Sequence, residues 1–262
     1  MCGVVRNSPC LGQNHAAIDD RKTRLVARCE AGHCFEMNLN IFIYGVLALA
    51  VAYSIAKQFY SAQLMRKLIP DQLFSDLRQL FQNPDVRHGE AIGSHILNGA
   101  YEGGQFELKT ITDTLATRKL PSLWLMITLK SPVPVKHTFD MMLRPAGPTS
   151  FSNFDFLPVS FATPFGFPAQ AVLRSDAELP DFDLTVLQPH LDFFKNPRAK
   201  ELLITPNGLR LVIQLAEAER SRYLVYRDAR FNNATIDSDE TKRALDILLA
   251  LRRDLQEHLH HD

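Results

Sequence analysis

The sequence predicts an α+β fold: an N-terminal transmembrane helix, then a mostly antiparallel sheet packed with a few helices, ending in a long amphipathic helix. Three observations predict it. The stretch LNIFIYGVLALAVAYSIA, residues 39–56, carries no charge and no proline. Between 96 and 215 several apolar runs have the length and alternation of strands. Beyond residue 237, leucines recur at helical spacing.

The first 36 residues have little periodicity and contain all four cysteines, Cys2, Cys10, Cys29 and Cys34. Together with His15 and His33 these are zinc-type ligands, but their spacing lacks the CxxC pairs of a structural zinc site. Met37 directly precedes the apolar stretch, so 1–36 also reads as an extension upstream of the true start. Residues 37–60 read as the membrane helix. A bilayer core asks for about 20 apolar residues, and Phe59 and Tyr60 suit its interface. A cleaved signal ending near Ser54-Ile55-Ala56 and a buried core helix are the alternatives. With a start at Met37, Lys57, Arg66 and Lys67 follow the helix and nothing basic precedes it. The expected location is then the cell membrane, single-pass, with the following domain in the cytoplasm.

Residues 61–84 read as a juxtamembrane helical segment. Leu73, Phe74, Leu77, Leu80 and Phe81 share one helix face, and Asn83-Pro84 ends it. The soluble domain is expected over 85–262. Gly103-Gly104 divides NGAYE from QFELKTI as a hairpin would. Phe106, Leu108 and Thr110 alternate with Gln105, Glu107 and Lys109, a half-buried strand. LWLMITL at 123–129 reads as a buried strand and HTFDMML at 137–143 as an alternating one. Residues 145–168, PAGPTSFSNFDFLPVSFATPFGFP, interleave six phenylalanines with prolines. So long an irregular stretch is a lid packed on the core, or a groove or surface with a function. Gln170 to Arg174 suits a strand and Leu184 to Phe194 a helix. Asn196-Pro197 suits the start of a helix running to about Leu203. Pro206-Asn207-Gly208 is a turn between strands, and Tyr223 to Tyr226 reads as a further strand. Asp237 and Glu240 open the last helix, with Leu245, Leu248, Leu251, Leu255 and Leu259 as its stripe.

Lysine plus arginine equals aspartate plus glutamate at 29 each, so no charge excess calls for a nucleic acid. The chemistry-bearing motifs are missing. There is no GxSxG elbow, no HExxH, no phosphate loop after GAYEGGQ, and no cysteine nucleophile after residue 56. His88, His95, His137 and His190 are scattered, and Asp181, Asp183, Asp237 and Asp239 read as loop and cap residues. Arg220, Arg222, Arg227 and Arg230 read as a solvated strand face, with a small anion patch as the alternative. No catalytic, cofactor-binding or metal-binding residue is assigned, and no cofactor is expected.

FPAQAVLRSD, LLITPNGLRLVIQL and RYLVYRDARF, followed by the leucine-rich helix, resemble the soluble part of uncharacterised bacterial single-pass membrane-anchored proteins. The resemblance covers about 90 residues and rests on apolar pattern. It implies an anchored α+β module and no catalytic residue. The expected partners are the lipid bilayer and a protein partner or small ligand, with no nucleic acid. The expected function is a non-catalytic binding or interaction module. The alternatives are an enzyme with its site under the loop 145–168, and a zinc-dependent sensor built on 1–36.

Overall fold

A computed structural model of the chain describes residues 41–57, 73–89, 94–115, 119–178, 182–226, 229, 231 and 234–259. The chain divides into two compact units, Met1–Ala62 and Gln63–Asp262. In the first, helix α1 covers 41–57, and every residue of it is exposed.

The expected membrane-spanning helix is overturned. Among the described residues no helix is long and apolar enough to cross a membrane. The physical reason is length. At about 1.5 Å per residue, α1 rises roughly 26 Å, short of a hydrocarbon core of about 30 Å. The flanks counted on to extend it, 37–40 and 58–60, lie outside the described residues, as does the proposed zinc segment 1–36. The transmembrane and single-pass assignments are corrected accordingly.

The fold class is corrected as well. The second unit is dominated by one nine-stranded sheet with few helices, and every pairing in it is antiparallel. Its strands are β1 (Gln82–His88), β2 (His95–Tyr101), β3 (Gly104–Asp113), β4 (Ser122–Leu129), β5 (Phe139–Leu143), β6 (Val159–Phe161), β7 (Ala171–Ser175), β8 (Ala199–Thr205) and β9 (Gly208–Glu217). They lie in the order β1-β2-β3-β4-β9-β8-β5-β7-β6. Helices α2 (Arg220–Tyr226) and α3 (Ser238–Leu259) follow.

Local chemistry explains several joints. Glu102 and Gly103, both at positive φ (44° and 79°), make the two-residue turn that suits the twist of the β2–β3 hairpin. Gly208 is required where β9 passes β4, because a Cβ there would sit 2.1 Å from the Leu129 carbonyl oxygen. Asn83-Pro84, expected to stop a helix, instead forms an irregularity in edge strand β1, the place where a sheet tolerates proline.

Three further expectations change. Residues 199–203, expected as a helix, are strand β8, seated between β5 and β9. Tyr223 to Tyr226 is helix α2 and not a strand. Leu184–Lys195 is a run of 3₁₀ turns with Pro189 inside, capped by Asp183, whose side chain accepts from the Thr185 N–H at 3.0 Å. A short apolar run bounded by turn residues fits helix or strand alike, and pairing in the sheet decides it.

The sheet has two unequal faces. One, called here the helix face, carries Phe106, Leu125, Ile127, Met141, Leu202 and Leu211 in the main core. That core is completed by Leu245, Leu248, Leu251 and Leu255 of α3 and by Leu187, Leu191 and Phe194 of the 3₁₀ run. α3 starts where Asp237 Oδ1 accepts from the Asp239 and Glu240 N–H groups, at 2.9 and 3.1 Å. The opposite face, called the loop face, carries a smaller cluster. It consists of Trp124, Met126, Met142 and Val212, with Phe151 and Phe154 of the 145–158 loop laid across them.

Candidate functional site

The loop face holds the groups whose chemistry is not explained by packing. Trp124 of β4 is buried, and its ring lies 4.9 Å from that of Phe151. Beside it opens a cleft of ≈ 400 Å³, lined by Lys119, Leu120, Ser122, Trp124, Arg144, Pro197, Arg198, Lys200, Gln214 and Glu217. A side chamber of ≈ 60 Å³ shares Lys119, Ser122, Trp124 and Lys200 and adds Asp113 and the loop residues Ala146–Thr149. That volume suits a small molecule.

Four of the lining side chains are cationic. Arg144 follows β5 at φ 49°, a left-handed conformation uncommon outside glycine. Its guanidinium holds the turn by donating to the carbonyls of Pro197 and Ala199, at 2.7 and 2.9 Å. Lys200 Nζ donates to the carbonyls of Leu143 and Arg144, at 2.8 and 2.7 Å. An ammonium has three protons, so one remains for the cleft it lines. Burial, then the charges of Arg144 and Lys119, bring the Lys200 pKa down to about 8, against an opposing pull from Glu201 and Asp113. Arg198 is held by Glu240 of α3, which also accepts from Asn196. On the acidic side, Asp113 is engaged by the N–H groups of Leu115 and Ser150, at 3.1 and 3.3 Å. Glu217 accepts from Gln214 at 3.4 Å.

Beneath the loop lies a second unusual group. Asp140 of β5 and Glu201 of β8 are 1% and 0% exposed. Ser152 of the loop donates to Asp140 Oδ2 at 3.4 Å, while Asp140 Oδ1 and both Glu201 oxygens have no hydrogen-bond partner. Burial raises the Asp140 carboxyl well above the usual range, and the neighbouring Glu201 raises it further. Burial also raises Glu201, countered by the nearby Ser152 hydroxyl and Asp140 carboxyl and by the charges of Arg210 and Lys200. The larger rise falls on Asp140, so that of the two carboxyls it is the one that keeps a proton more readily. The pair lines neither chamber of the cleft.

A comparable cavity of ≈ 390 Å³ lies between the 3₁₀ run and α3. Its main polar groups are engaged with one another or with neighbours. His190 Nε2 is 2.9 Å from Asp254, Tyr101 donates to Asp246 at 2.7 Å, and Asn196 donates to Glu240.

The residues singled out from sequence scatter. Of the six phenylalanines in 145–168, Phe151, Phe154 and Phe167 are buried, while Phe156 and Phe165 are exposed at 80% and 100%. His88 and His95 stack edge to face at 5.5 Å, and His137 lies 3.5 Å from Asp176. Arg220 is exposed on α2, and Arg227, Arg230 and Asp181 lie outside the described residues. Among the described residues no group of three or more histidines, cysteines or carboxylates could hold a metal. Sequence reasoning missed Lys200, Arg144, Asp140 and Glu201. The available signal was charge inside an apolar strand run, since such residues are rarely buried without a reason.

The fold and site together define an antiparallel-sheet domain with a cationic cleft beside a loop-covered acid pair. No protein-family model and no curated protein matches the chain. Among solved structures, the mycobacterial trehalose monomycolate transport factor A aligns with 66% of this chain and 86% of its own. The identity is 10% and the TM-score 0.39, and at those values the likeness carries no argument.

Proposed function

We propose that the sheet domain is a non-catalytic binding module whose cleft beside Trp124 takes a small anionic ligand. The observation that carries this reading is that Lys119, Arg144, Arg198 and Lys200 line one ≈ 400 Å³ cleft against a single carboxylate, Glu217. Lys200 has one ammonium proton not committed to the turn it braces. An anion there gains a charge-assisted hydrogen bond from a partly desolvated donor, which is stronger than one made in water. The indole of Trp124 offers an apolar wall for the rest of the ligand. The enzyme reading has less support, because the perturbed carboxylates are sealed under Phe151 and Phe154, where no substrate atom reaches them.

Calorimetric titration of the full chain tests the proposal, with inorganic phosphate, succinate and uncharged glycerol as probes. Phosphate or succinate should bind and glycerol should not, with affinity falling as salt is added. Lys200→Met should weaken anion binding by about tenfold, the worth of one hydrogen bond to a charged group. Binding should also fade as pH rises through about 8, where Lys200 loses its proton. If neither anion binds, or if Lys200→Met binds as well as the parent, the reading is wrong.

A further inference from the structure

We propose that Asp140 and Glu201 are a proton-operated latch for the 145–158 loop, and that the loop in turn gates the cleft beside Trp124. With a proton shared between the carboxyls, Phe151 and Phe154 seat over the loop face. When the proton leaves, the loop lifts and the cleft widens. The inference rests on the anion-cleft reading, since Ala146–Thr149 of the same loop line the cleft's side chamber.

Three observations carry it. The two carboxyl groups are sealed from solvent, and three of their four oxygens meet no donor from outside the pair. Two negative charges cannot both be kept in so dry a site without strong compensation. The loop is tied to the pair directly, through the Ser152 hydroxyl on Asp140 Oδ2. Its other ties are also made by side chains, the Arg174 guanidinium on the Phe154, Asp155 and Leu157 carbonyls and Asp113 on the Ser150 N–H, and it pairs with no strand. Its 3₁₀ turn Phe154–Phe156 is a single turn without a side-chain cap.

The surrounding charges do not supply the missing compensation. Arg174 of β7 stands directly across from Asp140 in register, but its guanidinium donates to the carbonyls of Phe154, Asp155 and Leu157 and lies over the Phe154 ring. Arg210 of β9 pairs with Leu203 in register, and its Nε donates to Thr128 at 3.2 Å. Lys200 of β8 gives two protons to the Leu143 and Arg144 carbonyls and lines the cleft with the third, away from the pair. From the loop itself comes only the neutral Ser152 hydroxyl, while Asp155 is exposed. Arg210 and Lys200 soften the repulsion at Glu201, and Arg210 at Asp140, yet both carboxyls stay raised.

The sign follows from proton linkage. A carboxyl whose value is raised in the closed state holds its proton there while the open state has released it. The closed state therefore loses stability as pH climbs from about 4, the value of a solvated carboxyl, up to the raised value. Acid closes the loop and alkali opens it.

Trp124 is the only tryptophan in the chain and packs on Phe151, so its emission reads the seating of the loop. The full-length protein is titrated from about pH 4 to about pH 9, spanning the range above a solvated carboxyl. The expected result is a red shift and a severalfold rise in acrylamide quenching at the alkaline end. The double variant Asp140→Asn with Glu201→Gln mimics the protonated pair and should stay closed throughout. Hydrogen exchange in the parent serves if that variant does not fold. Corrected for the intrinsic rate, protection over 145–158 should fall with pH while β3 and β4 stay protected. Flat emission in the parent would overturn the latch, and so would a shift that survives in the double variant, which would assign it to Lys200. Phosphate binding measured alongside separates the two readings. A shift without phosphate binding keeps the latch and sinks the cleft. Phosphate binding with flat emission does the reverse.

Discussion

The two faces of the sheet are closed by different means. On the helix face, the 22-residue α3 lays a leucine stripe over the strands, aided by the 3₁₀ run, and the buried His190 and Glu240 are each paired, with Asp254 and Arg198. On the loop face, two phenylalanines on an irregular segment do the same job over a smaller cluster, and charged groups are enclosed with them. The difference teaches where stability and function can separate in one domain. A helix brings its backbone hydrogen bonds with it, so its docking is limited only by packing. A loop must be held by side chains, and here these are the Arg174 guanidinium and, through Ser152, an acid pair that titrates.

The largest effect should come from breaking the helix face. Leu248 is fully buried in the centre of the main core. Leu248→Ala should cost about 2–5 kcal/mol, the range for a core leucine truncation that leaves a cavity. Urea unfolding followed by circular dichroism measures it. A loss below about 1 kcal/mol would mean that α3 is a peripheral element. On the loop face, Phe151→Ala should cost less, about 2 kcal/mol, because the irregular loop that carries it can settle into the space. It should also blue-shift nothing and instead expose Trp124 to quencher, since the indole loses the ring packed against it. If Phe151→Ala matched Leu248→Ala in unfolding free energy, the contrast between the faces would fail.

How much of this was legible follows the same division. Elements decided locally could be read: the Gly103-Gly104 hairpin, the alternation along β3, and the Asp237 cap with the leucine stripe of α3. Each rests on residues within a few positions of one another. Residues 199–205 could not be read, because Lys200-Glu201-Leu202-Leu203 suits a helix by propensity and becomes a strand only when β5 and β9 flank it. The apolar segment at 39–56 showed the opposite failing. Its composition pointed to the membrane, but the described helix, 41–57, is too short to span. The site was the least legible part. Arg144 and Lys200 meet only through the β5–β8 pairing, and Asp140 and Glu201 meet across the same pair of strands. Nothing in the spacing of those residues announces the encounter. The phenylalanine–proline loop could be singled out for its irregularity, but what it covers is set by strand order alone.

The smallest expected effect sharpens the comparison most, because its sign is opposite to the other two. Asp140→Asn should stabilise the domain at neutral pH, by on the order of 1 kcal/mol, the scale of relieving one poorly satisfied buried polar group. Asparagine keeps the shape of the protonated acid and supplies a permanent donor to Glu201, which then ionises without a like-charged neighbour. In the parent, the raised Asp140 carboxyl makes stability fall as pH rises above about 4, the value it takes when unfolded. The variant lacks that slope. The two proteins should therefore unfold at the same urea concentration near pH 4 and diverge toward pH 7, with the variant the more stable. No apolar substitution on the helix face can produce a pH-dependent gain of this kind, since no buried carboxyl pair lies in the α3 core. Equal stability at pH 7, or a loss there as large as at pH 4, would show that the acid pair is satisfied in its ionised form and that the loop face is closed as firmly as the helix face.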